Sequence, residues 1–503
     1  MSDNFQARSP RITDRTNFPR QPAVPSDARA VDRAGFGLPG TGNANLPHSK
    51  DKRQAADHAA GSRPRRVLIL VENLPSPFDR RVWQEACALR DAGYVVSIIC
   101  PTGRGYDRKF EVTEGIHIYR YDLPIEASGA AGYAVEYATA LASTFVLSLR
   151  VLMTRGFDVI HSCNPPDLFF LIGRFFKLFG KKFVFDHHDL NPELYEAKFG
   201  RRDFFYRLML ALESWTFRAA DVSIATNESY RRIAIDRGGM PSDRVFVVRS
   251  GPSLKRLQIL PGEQRLKCGR RYLIGYVGVM GKQEGIEYLL RALHHIVYEL
   301  GRQDIQFGLV GGGTSLEQMK AYAVQLGVAE FVTFAGRVPD SEMLAMLNTA
   351  DVCVNPDIAN DMNDKSTMNK IMEYMALGKP IVQFDLLEGR VSAQQASLYA
   401  RKNDAVDFAV KIVELLDNPA RRAQMGEFGR RRVTEELEWR YEVPKLLAAY
   451  DALWPPAAGA DDDAVRGGRR PAVTRQAVTR PAVTRSGAPA ATGLETGRGQ
   501  TPV

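Results

Sequence analysis

Apolar residues along this chain fall in short blocks separated by polar loops, and the blocks alternate between strand length and helical spacing. Residues 67–71 are a continuous apolar run, the pattern of a strand buried on both faces. It ends in the loop ENLPSPFDRR, after which the spacing predicts a helix over about Arg80–Asp91, closed by Gly93. Residues 94–100 form the next buried run. Strand, loop, helix and strand in this order imply parallel pairing with a right-handed crossover. Further strands are expected at residues 158–161, 182–185, 222–226 and 245–248, each stopping in a polar loop: HSCNPPD, DHHDLNPE, TNES and RSGPS. Residues 251–270 are less regular and read as a linker. The alternation then restarts, with strands expected at residues 273–278, 307–310, 332–335, 351–355 and Ile381–Phe384. Two successive α/β domains with doubly wound parallel sheets are implied. Ligands of such sheets bind outside the carboxyl ends of the strands, and the loop at residues 72–79 is one such end.

Within the second domain, DKSTMNKIMEYMALGKPIVQF (residues 364–384) stands out. Met368, Ile371, Met372 and Met375 lie at i, i+3, i+4 and i+7, one apolar face of a helix. Ser366 or Thr367 is placed to cap its start, Gly378 to end it, and Pro380 to prevent its continuation. The opposite face carries Ser366, Asn369, Lys370 and Glu373. Such a face on an arbitrary helix is simply solvated; the surrounding sequence is what gives this one a chemical reading.

A chain of 503 residues, 45% apolar and 25% charged, has the material for two or three ordinary cores. The formal charge of +9 suggests nucleic acid at first sight. It is carried by the ends: residues 1–64 hold +4 and residues 456–503 hold +3, leaving +2 for everything between. A near-neutral body argues against a nucleic-acid partner. The five cysteines, Cys87, Cys100, Cys163, Cys268 and Cys353, lie far apart with no CxxC pair, which fits a reducing cytoplasm and neither a disulfide framework nor a zinc site. The polar, Pro-rich beginning does not read as a signal peptide, and residues 1–64 read as disordered. So does the end, with its PAVTR, QAVTR and PAVTR repeats. The longest uncharged apolar run, between Glu136 and Arg150, is too short to span a bilayer. It sits in a long apolar helix expected over residues 133–153, packing or acceptor-facing. The segment LFFLIGRFFKLFGKK (residues 168–182) mixes aromatic and basic residues. It reads either as a surface for an anionic membrane or as a core helix with a few exposed lysines.

Over about residues 65–454 the chain resembles the retaining glycosyltransferases of the GT-B type, family 4 (bacterial group 1). The resemblance rests on an ordered set: VLILVENLPSPFDRRVWQEACALRDAGY, FDHHDLNPEL, RSGP, GYVGVMGKQEGIEYLLRA, LVGGG, FAGRVPDSEM and KIMEYMALGKPIV. It implies two Rossmann-like domains with a cleft between them and a C-terminal helix crossing back to the first. The expected divisions are a tail at 1–64, an acceptor domain at 65–255, a linker at 256–270, a donor domain at 271–435, a crossing helix at 436–454 and a tail at 455–503. The implied reaction moves a sugar, with retention, from a nucleotide sugar (UDP-linked favoured) to a saccharide or lipid-linked acceptor in exopolysaccharide or surface-glycan synthesis. No cofactor and no metal are expected, since the only acidic run, residues 461–463, lies in the tail. The cytoplasm is the expected location, with peripheral contact at the inner face of the membrane.

The resemblance also implies roles. Glu373 matches the second glutamate of the family's Glu-x7-Glu motif and would accept hydrogen bonds from the ribose. The first glutamate is replaced by Lys365. The family's phosphate-binding Arg and Lys positions hold Val279 and Glu284. Lys282, Lys365 or Lys370 is expected to supply the missing charge, because a departing nucleoside diphosphate needs it. Gly278, Gly311, Gly312 and the start of the Glu373 helix, with Asn369, offer backbone N–H groups to the diphosphate. Val338 matches a segment that holds the base through its backbone. His188 matches the family's first-domain histidine beside the sugar, with a core role left open for one histidine of the His187-His188 pair. Asp189 and Glu193 are the carboxylates available to orient the acceptor or act as base. Two other classes share this architecture: a nucleotide-sugar epimerase and a non-catalytic protein.

Overall fold

The computed structural model describes residues 63–123 and 129–454. The expectations for the two tails therefore lie outside the described residues. The short apolar runs form the strands. The first sheet contains β1 (Arg66–Leu70), β2 (Val95–Pro101), β3 (Phe110–Thr113), β4 (Ile116–Tyr121), β5 (Val159–Cys163), β6 (Lys182–His187), β7 (Val222–Ala225) and β8 (Val245–Val247). Their spatial order is 3-4-2-1-5-6-7-8. All pairs are parallel except β3–β4, an antiparallel edge hairpin. Its two-residue turn is Glu114-Gly115, with φ of 51° and 81°, the left-handed backbone such a turn requires.

The helices of this domain are α1 (Arg80–Asp91), α2 (Gly129–Thr154), α3 (Phe170–Lys177), α4 (Asn191–Phe199), α5 (Phe204–Ala219) and α6 (Glu228–Asp236). Successive strand residues point to opposite faces. Leu68 and Leu70 of β1 thus pack with residues of α2, α3 and α5, while Val67 and Ile69 pack with α1. Helix α1 begins where Asp79 accepts a hydrogen bond from the Val82 N–H.

The second sheet comprises β9 (Tyr272–Val277), β10 (Ile305–Val310), β11 (Val332–Gly336), β12 (Val352–Asn355), β13 (Ile381–Phe384) and β14 (Ser397–Ala400), all parallel, in the order 11-10-9-12-13-14. Its helices are α7 (Ile286–His294), α8 (Leu316–Gln325), α9 (Asp340–Thr349), α10 (Asp361–Lys365), α11 (Asn369–Ala376), α12 (Leu387–Ala393), α13 (Ala405–Leu416) and α14 (Pro419–Arg432). The last helix, α15 (Val443–Asp451), returns to the first domain. There Leu446, Ala449 and Tyr450 pack with Val67 and Ile69, and the Tyr450 hydroxyl lies 2.8 Å from His161 Nδ1. The expected crossing helix is present.

Two sequence readings need correction. The KIMEYMALGKP helix is not capped by Ser366 or Thr367. Met368 is its N-cap residue, without a side-chain hydrogen bond. Ser366 Oγ instead donates to the Met362 carbonyl, and Thr367 Oγ1 accepts from Asn227. These two residues serve the preceding turn and the facing domain. The helix end is as expected: Gly378 has φ +66°, its N–H bonds the Met375 carbonyl, and the Lys379 N–H reaches back to Tyr374, a Schellman motif. The second correction concerns α2. Among the described residues its segment Val135–Thr154 is long and apolar enough to cross a membrane, although the uncharged run read from the sequence is shorter.

Candidate active site

Strand β6 ends at His187, and the two histidines separate there. His187 is fully buried and packs between Phe185, Phe217 and Tyr230. His188 turns the other way, toward the carboxyl edge of the sheet. Asn164 fixes it: Asn164 Oδ1 accepts from the backbone N–H of His188 at 2.6 Å and of Asp189 at 3.2 Å, while Nδ2 donates to the Asp189 carbonyl at 2.8 Å. The Asp189 side chain is exposed. Glu193 is not: it is buried and held by Arg237 at 2.6 Å beside Glu213, so its carboxylate is committed to a structural ion triad.

Beneath His188 lies a buried charge cluster. Arg81 of α1 donates to Asp186 at 2.9 Å, to the Val248 carbonyl at 2.9 Å and to Ser250 Oγ at 3.2 Å, and stands 3.0 Å from Glu85. His188 Nε2 is 2.5 Å from Asp186 Oδ2. Against the cost of burial, Arg81 and then His188 hold the Asp186 carboxyl well below the usual range, whereas burial pushes Glu85 well above it. Arg81 Nε–H also points at His188 Nε2, at 3.0 Å, so Nε2 is the ring nitrogen engaged by the cluster and Nδ1 the one left for a ligand. Glu85, His161, Cys163 and Asp186 bring potential ligand atoms within 4.8 Å of one another. The Arg81 guanidinium already takes the place that a cation would fill. Just past β1, Glu72 is 4% exposed, its Oε1 has no hydrogen-bond partner, and burial, with Glu136 adding to it, pushes its pKa up to about 7.

In the second domain, β9 and β10 end in backbone pressed against backbone. Gly311 has φ +132°, and a Cβ there would lie 1.8 Å from the Gly278 carbonyl oxygen. A Cβ on Gly313 would lie 2.5 Å from the Met280 carbonyl oxygen. Only glycine permits this approach. Arg337 lies along Gly312, with Cγ 3.2 Å from the position of a Cβ there. Lys282 is exposed in the turn after β9. Neither Lys282 nor Arg337 has an ion-pair partner among the described residues. Val338 follows on the same loop and packs on the core of this domain.

The three candidate lysines therefore differ. Lys365 pairs with Asp361 at 2.7 Å on α10. Lys370 is tucked under Gly278, 2.8 Å from Asp357 and 2.9 Å from Glu284, so two carboxylates meet its charge. Lys282 alone is unpaired. Asn369 is exposed at the first turn of α11. Glu373, one turn on, faces Arg80 at 3.5 Å and bonds Arg256 of the linker. Asp340 at the start of α9 closes a four-membered ring, 2.7 Å from Arg80 and 3.2 Å from Arg256.

The two domains meet around this helix. Asn227 Nδ2 donates to the Lys365 carbonyl at 2.8 Å and to Thr367 Oγ1 at 3.0 Å, and the Tyr230 hydroxyl is 3.1 Å from Ser366 Oγ. Sequence reasoning missed Arg80, Arg81, Asn164, Asp186, Arg256 and Arg337. The adjacent arginines of FDRR and the asparagine of HSCNPPD were visible signals; Arg256 carried none.

A family model described as "Glycosyl transferase 4-like domain" matches residues 79–251, and one described as "Glycosyl transferases group 1" matches residues 271–418. Together they take in well over half of the chain. The chain belongs to the group 1 glycosyltransferases. This glycosyltransferase is 25% identical over 259 residues to the 2-deoxystreptamine glucosyltransferase of Streptomyces kanamyceticus, a match covering 49% of the chain and 64% of that relative. It therefore spans just under two thirds of the relative's length. Among solved structures, sucrose-phosphate synthase from Thermosynechococcus elongatus superposes with a TM-score of 0.64 at 18% identity, over 77% of this chain and 99% of that one. HepE of Anabaena in complex with UDP-glucose gives 0.59 at 13% identity, over 77% and 99%. These likenesses show the fold, which is GT-B.

Proposed function

We propose that this protein moves a glycosyl group from a nucleotide sugar, with a UDP-sugar favoured, to a saccharide or lipid-linked saccharide, retaining the anomeric configuration and using no metal ion. Exopolysaccharide or surface-glycan synthesis at the inner face of the cytoplasmic membrane is the setting we favour. The observation that carries the reading is the position of Glu373. It stands on the side of α11 that faces the first domain, 15% exposed, with the glycine turn of residues 311–313 and the unpaired cations Lys282 and Arg337 in the same domain.

In this reading the ribose hydroxyls donate to Glu373. The diphosphate takes backbone N–H groups from the glycine turn and from the first turn of α11, where Asn369 lies. Lys282 and Arg337 supply the positive charge for the developing phosphate anion. The bond from the anomeric carbon to phosphate oxygen breaks, that carbon bonds the acceptor oxygen, and the acceptor proton passes to the leaving phosphate. His188, oriented by Asp186, and the exposed Asp189 border the acceptor side. The names of the relatives and neighbours include a glucosyltransferase and a complex with UDP-glucose, which supports the choice of a UDP-sugar.

Thermal shift with UDP, GDP and ADP tests the reading. UDP at a hundred times its dissociation constant should stabilise the folded state by about 2.7 kcal/mol, and Glu373→Ala should lose that shift while still folding. A wild-type protein that no nucleoside diphosphate stabilises would instead be a non-catalytic member of the fold.

A further inference from the structure

Beneath the glycine turn of the second domain lies a charge cluster that the proposed transfer does not use. Strands β9 and β12 pair only as far as Gly275 and Cys353 and then part. The Tyr374 hydroxyl fills the gap, accepting from the Val277 N–H at 2.9 Å and donating to the Val354 carbonyl at 3.2 Å. This is the switch point of the sheet, where the strand order reverses and a crevice opens for a ligand. Lys370, one turn before Tyr374 on α11, forms the floor of that crevice. Its Cε lies 3.3 Å from where a Cβ on Gly278 would stand, and the glycine turn is pressed on Gly278 from above.

The Lys370 ammonium is held by two carboxylates from separate loops, Asp357 at 2.8 Å after β12 and Glu284 at 2.9 Å after β9. The two loops are fastened together. Gly285 has φ +66°, and a Cβ there would lie 1.9 Å from the Pro356 carbonyl oxygen. The Ile358 N–H and Asn363 Nδ2 both donate to the Gln283 carbonyl, at 3.1 and 2.9 Å. The backbone therefore holds two acids beside one base. Asp357 is 1% exposed, and its Oδ2 has no hydrogen-bond partner.

The groups packed around these three are neutral, in water or engaged elsewhere. Tyr276 of β9 offers the face of its ring, 5.2 Å from Lys370 Nζ, and burial keeps the Tyr276 and Tyr374 phenols protonated. On α11 itself, Glu373 is met by Arg80 and Arg256. On α10, Asp361 and Lys365 pair with each other. On α4, which packs on the turn of residues 282–284, Glu193 and Glu196 are paired with arginines and Lys198 is exposed, as is Lys282. Burial, opposed by Lys370 and aided by Glu284, pushes the Asp357 carboxyl up to about 7.

We infer that Asp357 controls donor binding by carrying a proton. With the proton on its unpartnered oxygen, Lys370 and Glu284 cancel and the floor under Gly278 is neutral. Without it the floor holds one net negative charge beneath the place where the diphosphate settles. A single like charge about 10 Å away weakens an anion's binding on the order of tenfold. By reciprocity, the bound diphosphate draws a proton onto Asp357. The inference rests on the donor reading. It also gives Glu284 a consequence: an acid where the resemblance implies a phosphate-binding cation couples donor binding to proton uptake.

Titration calorimetry of the full-length protein with UDP tests this. At pH 8.5 wild type should bind UDP on the order of tenfold more weakly than Asp357→Asn. At pH 6, where both floors are neutral, the two should bind nearly equally. At pH 7.5, heats measured in two buffers of different ionisation enthalpy should show more proton uptake by wild type than by Asp357→Asn. The comparison with the variant removes the nucleotide's own titration. Glu284→Gln leaves Lys370 and Asp357 as a neutral pair and should reproduce the tighter binding at pH 8.5, which keeps the test alive if one variant folds poorly. Equal affinities at pH 8.5, with UDP binding intact at pH 6, would overturn the inference and leave the donor reading standing. So would weaker binding by both variants at every pH, the mark of a purely structural cluster. UDP binding by neither wild type nor the variants at any pH would overturn both.

Discussion

The two halves of the cleft keep their charges in opposite ways. In the first domain the polar groups are sealed: Arg81, Glu85, His161 and Asp186 are at least nine-tenths buried, and each lies within 3.6 Å of another member. In the second domain the group closest to a proposed ligand is held by residues from outside its own domain. Glu373 is met by Arg80 of α1 and Arg256 of the linker, and Arg80 is 55% exposed. The sealed half has fixed its geometry in folding. The open half holds its carboxylate with partners that a ligand can replace. A buried network contributes orientation at the risk of large loss when broken, while a ring open to water on the Arg80 and Asp340 side contributes less stability and remains adjustable.

The sealed half should break hardest. Arg81→Met leaves the Asp186 carboxylate buried without its cation, and a loss of about 3–5 kcal/mol is expected from urea unfolding. Arg81→Met combined with Asp186→Asn should recover part of that loss, since no unpaired charge then remains. A loss below about 1 kcal/mol for the single variant would mean that the cluster is hydrated and that the contrast between the halves is false.

Glu72 sharpens the same side through pH. Its carboxyl rises from the model-compound value of 4.5 to about 7 on burial, so the native state keeps a proton that the unfolded chain has lost. The contribution of Glu72 to stability is therefore most favourable below about pH 4, declines as pH rises from there to about 7, and carries the whole cost of a buried charge above pH 7. Glu72→Gln removes the titration. It should be more stable than wild type at pH 8, by on the order of 3 kcal/mol, with the difference vanishing near pH 4. A difference that is the same at both pH values would show that Glu72 is not titrating in a buried site.

The same contrast explains what could be read from the sequence. Strands β1, β2 and β5 to β13 were legible because burial on both faces leaves continuous apolar runs, whereas the crossing helix followed only from the resemblance. The β3–β4 hairpin was missed although FEVTEGIHIYRY alternates around a Glu-Gly turn, because β3 is a largely exposed edge strand and carries no continuous apolar run. Strand β14 is the other edge, and its SLYA opens on a serine and lacks the apolar pair that opens the equally short β13. Glu373, the glycines and His188 were legible as positions, and the choice between His187 and His188 needed the packing of Phe185 and Phe217. The pairing of Lys370 was not legible: Glu284 and Asp357 come from loops after two different strands, and only the fold brings them under Gly278. Arg256 lies in the irregular linker, where spacing carries no information about direction.

The smallest effect is the most informative about the open half. Arg80 is exposed and makes ion pairs of the kind that contribute about 0.2–1 kcal/mol, so Arg80→Ala should leave stability nearly unchanged. Its effect on UDP binding, measured by titration calorimetry, separates two roles. If Arg80 only occupies Glu373 until the ribose arrives, removing it frees the carboxylate, and UDP should bind a few-fold more tightly. If the guanidinium swings to the diphosphate when the donor enters, it replaces a cation that the sequence lacks at Val279 and Glu284, and affinity should fall tenfold or more. The 3.5 Å contact with Glu373, against 2.7 Å to Asp340, favours the first outcome: the stronger bond is to Asp340, and Glu373 is the partner that is easier to release. Arg80→Lys completes the test, because a charge that merely screens Glu373 survives the change, while a planar fork that grips phosphate does not.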